Sequence, residues 1–312
     1  MSLKSLPTRE YLTPGHRMCS GCGAAIALRQ VFIALDKPPI IVNATNCVEV
    51  ATTPYPYTAW SVPWIHTAFE CTAATAAGVE AGLKVLQRKG KIPKTDNPII
   101  AIAGDGGTYD IGLQALSGAL ERGHKFTYIC YSNEAYMNTG IQQSGATPKF
   151  GWTTTSPAGK VVPGKVRFQK DLMKIVVAHE IPYAATASPA YPMDLVRKVR
   201  KAVSVEGPSF ILILATCPRG WRTESDLTIE IAREAVLTRY WPLYEVENGK
   251  YKITKNIVKK RPVEEYLKYQ GKFRHLFKPK RQDKMIQEIQ DYVDKKWQEL
   301  IALEKLTQNI NE

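Results

Sequence analysis

Predominantly apolar runs of five to eight residues recur along the first two-thirds of the chain: 39–44, 98–103, 126–132, 183–187 and 209–216. They do not alternate polar with apolar, and a strand apolar along most of its length is one covered on both faces. Between them lie longer stretches with helical spacing of apolar residues, at 24–35, 67–86, 112–121 and 193–203. Strand runs alternating with helical stretches predict parallel βαβ units, hence an α/β protein with a parallel sheet and helices on both faces. The second helical stretch is rich in Ala and carries Gly78 and Gly82, which predicts close packing on neighbouring backbone. After about Trp241 the pattern turns polar and basic, without strong strands. It ends in an amphipathic stripe of Ile286, Ile289, Val293, Trp297 and Leu300. The pattern thus divides the chain into an α/β domain over 1–240 and a basic C-terminal extension over 241–312.

Open parallel sheets bind ligands at the carboxyl ends of their strands. Four chemically useful positions fall there: Asn46-Cys47, Gly104-Asp105, Asn133 and Cys217, each within a few residues of an expected strand end. Gly104-Asp105-Gly106-Gly107 stands where a strand gives way to a helix. Glycines there permit a sharp turn and close approach of backbone to a bound group. The amides that follow can face an anion such as a diphosphate. Asp105 and Asn133, the latter 26 residues after Gly107, add two oxygens of the kind Mg²⁺ takes alongside phosphate and water. Without Asn133 the run reads equally as an ordinary turn. With Asn133 at that distance it resembles the motif that holds thiamine diphosphate (ThDP) in ThDP-dependent enzymes. Residues 142–166, polar and rich in Gly, Pro and Thr, are long enough for a loop to suggest a closing lid.

Six cysteines are present. Cys19 and Cys22 form a CxxC before a helix, while Cys47 and Cys217 come singly after strands. The spacing admits a redox dithiol, a Cys₄ zinc site or a [4Fe–4S] cluster. It disfavours a zinc ribbon, which more often carries two CxxC pairs. Cys71, in the Ala-rich helix, and Cys130, inside a strand, read as core thiols. The five histidines show no metal-ligand spacing.

The apolar fraction is 44%, and no run approaches the roughly 18 residues of a membrane span. Met1–Glu10 has no apolar core of the signal-peptide kind, which points to the cytoplasm. Of the net charge of +13, residues 250–284 hold thirteen Lys/Arg against three Asp/Glu. Such a patch invites nucleic acid. No nucleic-acid motif accompanies it, so an acidic partner or a solvated surface is expected instead.

The two constellations occur together in segments that resemble the β subunits of 2-oxoacid:ferredoxin oxidoreductases. These are Gly15–Gly23, Asn43–Cys47, Gly104–Gly107, Tyr136–Gly140, Ser144–Pro148 and Cys217-Pro218. The stretch Glu264–Gly271 looks like the pyruvate-type subunits. The resemblance implies a ThDP diphosphate-binding fold, lined by Gly104, Asp105, Gly106, Gly107, Asn133, Ala135, Asn138 and Thr139. Asp105, the Asn133 side chain and the Ala135 carbonyl would hold Mg²⁺, and Asn138 would face the reacting end of the cofactor. Cys19, Cys22, Cys47 and Cys217 would ligate [4Fe–4S]. Asn46 departs from the Gly that many relatives carry there, close enough to alter hydrogen bonding to the cluster.

The activity so implied is oxidative decarboxylation of pyruvate or a related 2-oxoacid with coenzyme A to acyl-CoA and CO₂, with electrons passing through the cluster to ferredoxin. Oxalate as substrate, or a ThDP decarboxylase with a structural zinc, are the alternatives. In the family the glutamate that activates ThDP belongs to a partner, so Glu49, Glu70 and Glu80 carry no catalytic expectation. Partner subunits of the α, γ and δ type would supply that glutamate and the ferredoxin-like clusters.

Overall fold

The computed structural model describes residues 6–308. Of the Met1–Glu10 stretch, residues 1–5 lie outside that range. Eight strands form one sheet: β1 Ile40–Ala44, β2 Trp64–Thr67, β3 Ile99–Gly104, β4 Thr127–Ser132, β5 Tyr183–Ala187, β6 Ser209–Leu214, β7 Tyr244–Glu247 and β8 Lys250–Ile253. Their order is β2-β1-β3-β4-β6-β5-β7-β8. The first six are parallel, and β7 and β8 add antiparallel to β5 and to each other. The helices are α1 Gly23–Ile33, α2 Cys47–Thr52, α3 Thr72–Arg88, α4 Leu113–Glu121, α5 Leu172–Val177, α6 Pro192–Ser204, α7 Pro218–Trp221, α8 Thr228–Leu237, α9 Glu264–Leu267 and α10 Asp283–Gln308.

Alternate residues of the central strands feed two cores, as the two-residue repeat of a strand requires. Ile100, Ile102, Ile129, Tyr131, Ile211 and Ile213 pack with α1 and α6. Ala101, Ala103, Tyr128, Cys130, Phe210 and Leu212 pack on the other face with α3, α4, α5 and the end of α10. A third core around Trp221, Tyr266 and Phe273 seats α7, α8, α9 and the start of α10. The five expected strands all form within one or two residues of their expected bounds.

Several expectations give way. β7 and β8 form beyond Trp241, where no strands were expected. Each has four residues; β8 at the sheet edge is half exposed, and β7 beside it is mostly buried but carries Glu245 and Glu247, so no apolar run announces them. β2 escapes for the same reason, and by pairing with β1 it holds residues 64–67 extended, so the helix expected from residue 67 starts at Thr72. In α3 the contact is made by Ala73, Ala76 and Ala77, while Gly78 and Gly82 face outward. Cys71 caps that helix, partly buried. Residues 142–166 are not a free lid: Ser144, Thr147, Thr153 and Lys165 are buried, and the Lys165 ammonium donates to the carbonyls of Ser144, Gly145 and Thr147 at 3.2, 3.3 and 2.6 Å. Among the described residues no helix is long and apolar enough to cross a membrane.

Candidate functional site

From β1 the chain runs outward to β2, then returns past β1 to β3 on its other side. The carboxyl ends of β1 and β3 therefore flank a topological switch point, where a crevice opens. Asn46-Cys47 leaves one side of it and Gly104-Asp105 the other.

Past β3 the chain enters a single π-helical turn, Gly107–Ile111, closed by the Gly112 amide donating to the Gly107 carbonyl at 2.8 Å. Such turns recur at functional sites because they re-aim side chains within a helix. Gly106 has no room for a side chain, since a methyl there would fall 2.5 Å from Cε1 of Tyr136. Asp105 is wholly buried. Its Oδ1 accepts from the Asn133 amide at 3.0 Å and its Oδ2 from the Ser144 hydroxyl at 2.5 Å. Burial nonetheless pushes its carboxyl up to about 7, the two donors only partly opposing it.

Asn133 and Ala135 follow β4, with Glu134 between them in the left-handed region at φ 67°. With its amide in one orientation, Asn133 donates to the Ala135 carbonyl at 3.0 Å and to Asp105 Oδ1 at 2.9 Å. In the other orientation the amide oxygen takes that place, and three oxygens face one another with no proton between them. Such a trio is stable only around a cation, and its all-oxygen character suits Mg²⁺. The donor set therefore fits the Mg²⁺ that the resemblance implies.

A cleft of about 290 Å³ opens beside this point, lined by Asn46, Cys47, Gly104, Gly106, Gly107 and Asn133 on one part of its wall. Phe69, Tyr131, Tyr136 and Met137 supply the apolar remainder, with Asn138 and Thr139 exposed at the mouth. The Thr139 hydroxyl is engaged within its own turn, donating to Gln142 Oε1 at 2.5 Å. A larger cavity of about 900 Å³ lies under α10, but the groups able to do chemistry gather at the smaller cleft.

The four cysteines arrive by three routes. The CxxC turn is closed by the Cys22 amide donating to the Cys19 carbonyl at 3.1 Å. It is pressed against the end of β6 through Gly23, whose amide donates to the Thr216 carbonyl at 2.9 Å. The Gly220 amide points at Cys217 Sγ, 3.3 Å away. Asn46 caps α2 by accepting from the Glu49 amide at 2.9 Å and donates to Asn43 Oδ1 at 3.1 Å, which fixes Cys47 at the helix start. Burial pushes the Cys47 thiol up to about 12, with the charges of Cys217, Cys22, Cys19 and Asp105 adding to it. Cys217 is raised to about 11, again by burial, against the amide of Gly220. Thiols raised by mutual proximity and burial are those a positive metal centre would ionise. Yet among the described residues no three His, Cys, Asp or Glu side chains stand close enough to share one ion.

Sequence reasoning missed Ser144, Tyr136, Met137 and Phe69 as parts of this site. Ser144 stood in a stretch that carries the family resemblance, but only the folded chain brings it to Asp105. The basic segment is less uniform than its sequence: Lys260, Arg261, Lys268, Lys272 and Arg281 pair with Asp294, Glu234, Glu265, Glu134 and Glu264.

Comparison with known proteins shows the family. Residues 44–213 match the thiamine pyrophosphate enzyme C-terminal TPP-binding domain, thiamine pyrophosphate being another name for ThDP. The chain is 52% identical to pyruvate synthase subunit PorB of Thermotoga maritima over 96% of its own length and 93% of that protein's. It is 55% identical to the PorB subunit of Methanocaldococcus jannaschii, covering 95% and 98%. Ketoisovalerate oxidoreductase subunit VorB of Pyrococcus abyssi is 50% identical, over 96% and 95%. The fold is shared with a 2-oxoglutarate:ferredoxin oxidoreductase from Magnetococcus marinus, at 18% identity and a TM-score of 0.52, over 75% of this chain and 80% of that one. A switch-point cleft built on Gly104–Gly107 and Asn133, in a chain half identical to these subunits along nearly its whole length, belongs to the ThDP-binding β subunits of the 2-oxoacid:ferredoxin oxidoreductase family.

Proposed function

We propose that this chain is the cofactor-holding subunit of a cytoplasmic complex that oxidatively decarboxylates pyruvate with coenzyme A, yielding acetyl-CoA and CO₂ and reducing ferredoxin. The observation that carries the reading is that Cys47 and Asn46 line the same cleft as Gly104, Gly106, Gly107 and Asn133. A redox group on the cysteines would therefore share a wall with the ThDP site. Bound ThDP supplies the carbanion chemistry that decarboxylation of a 2-oxoacid needs, and a [4Fe–4S] cluster takes up electrons singly.

The chain's own part is to bind and orient. Asp105, Asn133 and the Ala135 carbonyl hold Mg²⁺. Gly106 and Gly107 let backbone amides approach the diphosphate. Asn138 at the mouth meets the reacting end of the cofactor, and Thr139 fixes its turn. Cys19, Cys22, Cys47 and Cys217 hold the cluster. A structural zinc on the same four thiolates is the competing reading. The glutamate that activates ThDP and the clusters that lead to ferredoxin come from partner subunits of the α, γ and δ type.

The test is 2-oxoacid-dependent ferredoxin reduction by the complex purified with its partners, across pyruvate, 2-oxoisovalerate and oxalate. Pyruvate is expected to give the highest kcat/KM. Preference for 2-oxoisovalerate, the keto acid named for the VorB relative, would move the substrate assignment and leave the chemistry intact. Iron analysis gives a second check, since a complex that holds zinc on this subunit and no iron overturns the electron-transfer half. Cys47→Ala should spare decarboxylation more than ferredoxin reduction, and equal loss of both in a folded variant counts against the cluster role.

A further inference from the structure

A buried ion pair sits directly behind the cleft with no part in the chemistry above. Glu134 and Lys272 are paired with side chains only 2% and 4% exposed. A buried pair of this kind is weak evidence for stability, because an apolar pair of equal volume is commonly as good or better. What an apolar pair could not do is hold Glu134 in its left-handed conformation by its own carboxylate. That conformation turns the Asn133 side chain and the Ala135 carbonyl toward the same point beside Asp105. The Thr147 hydroxyl fastens the Glu134 carbonyl from the other side at 2.7 Å.

The cation of the pair lies flat on Trp221, with Lys272 Nζ 3.7 Å from the ring centroid. Trp221 is bonded in two directions. Its Nε1 donates to the carbonyl of Asn133 at 2.8 Å, and its backbone amide donates to the carbonyl of Cys217 at 2.8 Å. The indole therefore fastens Asn133, whose side chain completes the three-oxygen trio, to the helical turn α7 that Cys217 caps, the Cys217 bond being that turn's own backbone bond. Both Trp221 and Lys272 are buried, so neither contact is exchanged for water.

We infer that Trp221, seated on Lys272 and Glu134, is a positioning residue that mechanically couples the cation site at Asn133–Ala135 to Cys217, so that filling one end is felt at the other. Coupling between two binding sites is reciprocal, so the state of the cysteine end must also alter cofactor affinity. The inference rests on the reading that Cys217 helps hold a cluster and Asn133 a Mg²⁺–ThDP.

Trp221→Phe in the assembled complex tests it, because Phe keeps an aromatic ring beneath Lys272 while removing the N–H together with part of the bicycle. Two quantities are read: the ThDP dissociation constant at saturating Mg²⁺, by calorimetry, and the electron paramagnetic resonance spectrum of the reduced cluster with and without Mg²⁺–ThDP. In the unaltered complex the spectrum is expected to shift when Mg²⁺–ThDP is added. In Trp221→Phe the shift should fall by at least half and the dissociation constant rise roughly three- to tenfold, as loss of one buried hydrogen bond implies. The charge-neutral pair Glu134→Gln with Lys272→Met should do the same, and decides the matter if Trp221→Phe fails to assemble. An unaltered complex whose spectrum ignores the cofactor, or variants that keep both affinity and response, would overturn the coupling. An unaltered complex with neither iron nor ThDP affinity would instead overturn the function proposed above.

Discussion

Replacing Gly23 by Ala isolates one contact on which the cysteine arrangement depends. Gly23 opens α1 immediately after Cys22, and it faces Thr216 immediately before Cys217. A methyl at Gly23 would lie 2.5 Å from the Thr216 amide nitrogen and 2.7 Å from its carbonyl oxygen and Oγ1. Ordinary contact begins near 3.4 Å, so about 0.9 Å of separation is missing. The atoms in the way are mainly backbone of the strand end, held by the ladder and by the Thr216 hydroxyl donating to the Thr228 carbonyl at 3.3 Å. The start of α1 must therefore lift, carrying Cys22 away from Cys217. Overpacking of this size costs about 1–3 kcal/mol. It outweighs the gain of up to about 1 kcal/mol that Ala brings to a helix. Gly78→Ala in α3 supplies the control: a methyl there meets no described atom within 4 Å, so the same exchange should stabilise by about 0.5–1 kcal/mol. The assay is iron and acid-labile sulfide per complex alongside Tm. Gly23→Ala should lose more than half its iron and melt about 2–5 °C lower, while Gly78→Ala keeps its iron and melts slightly higher. A Gly23→Ala complex with full iron and unchanged Tm would refute the reasoning.

Three further outcomes follow from the same geometry. Gly106→Ala would drive the Tyr136 ring into the cleft, and should weaken ThDP binding at least tenfold by calorimetry; affinity within twofold of the unaltered chain would count against the site. Asp105 is raised from 3.8 to about 7 by burial, so in the cation-free chain its ionisation opposes folding. The stability is fully present below about pH 4 and is lost as the pH rises through about 7, by as much as about 4 kcal/mol. In chelator, Tm of Asp105→Asn should accordingly gain on the unaltered protein between pH 5 and 7.5, and Mg²⁺ with ThDP should reverse the gain; parallel profiles would show the carboxyl to be ordinary. Lys165→Met leaves the carbonyls of Ser144, Gly145 and Thr147 without their donor, and should cost about 2–3 kcal/mol in thermal unfolding; an unchanged Tm would show that other donors take over.

The central sheet was legible because its strands are covered on both faces, which leaves runs such as Ile99–Ile102 with no polar residue to confuse the reading. The edges were less so. In β8, Lys250-Tyr251-Lys252-Ile253 does alternate, but four residues of a two-residue repeat are easily lost in a basic segment. The glycines and oxygens of the candidate site, with Cys47 and Cys217, could be named in advance since each follows a strand end, while Cys19 and Cys22 were marked by their CxxC spacing before a helix. Ser144 beside Asp105, and Lys272 beside Glu134 at 138 residues' separation, could not. Their meeting depends on how loops fold over the sheet, and no local periodicity encodes that. The π turn at Gly107–Ile111 was hidden too, because one extra residue in a helix leaves only a faint phase shift in composition.

The antiparallel edge made by β8 has a consequence for how copies of this chain can associate. An open edge strand offers unpaired amides and carbonyls to any other strand, and is where ordered aggregation by strand addition begins. Lys250 and Lys252 are the exposed positions of β8, while Tyr251 and Ile253 turn inward. A second β8 laid alongside would bring four ammonium groups together on a shared face, at the last strand of the sheet. The amides of that edge are also taken, Tyr251 donating to Thr307 Oγ1 at 3.0 Å and Ile253 to Glu304 Oε1 at 2.6 Å, so a second strand would have to displace the end of α10 as well as face these charges.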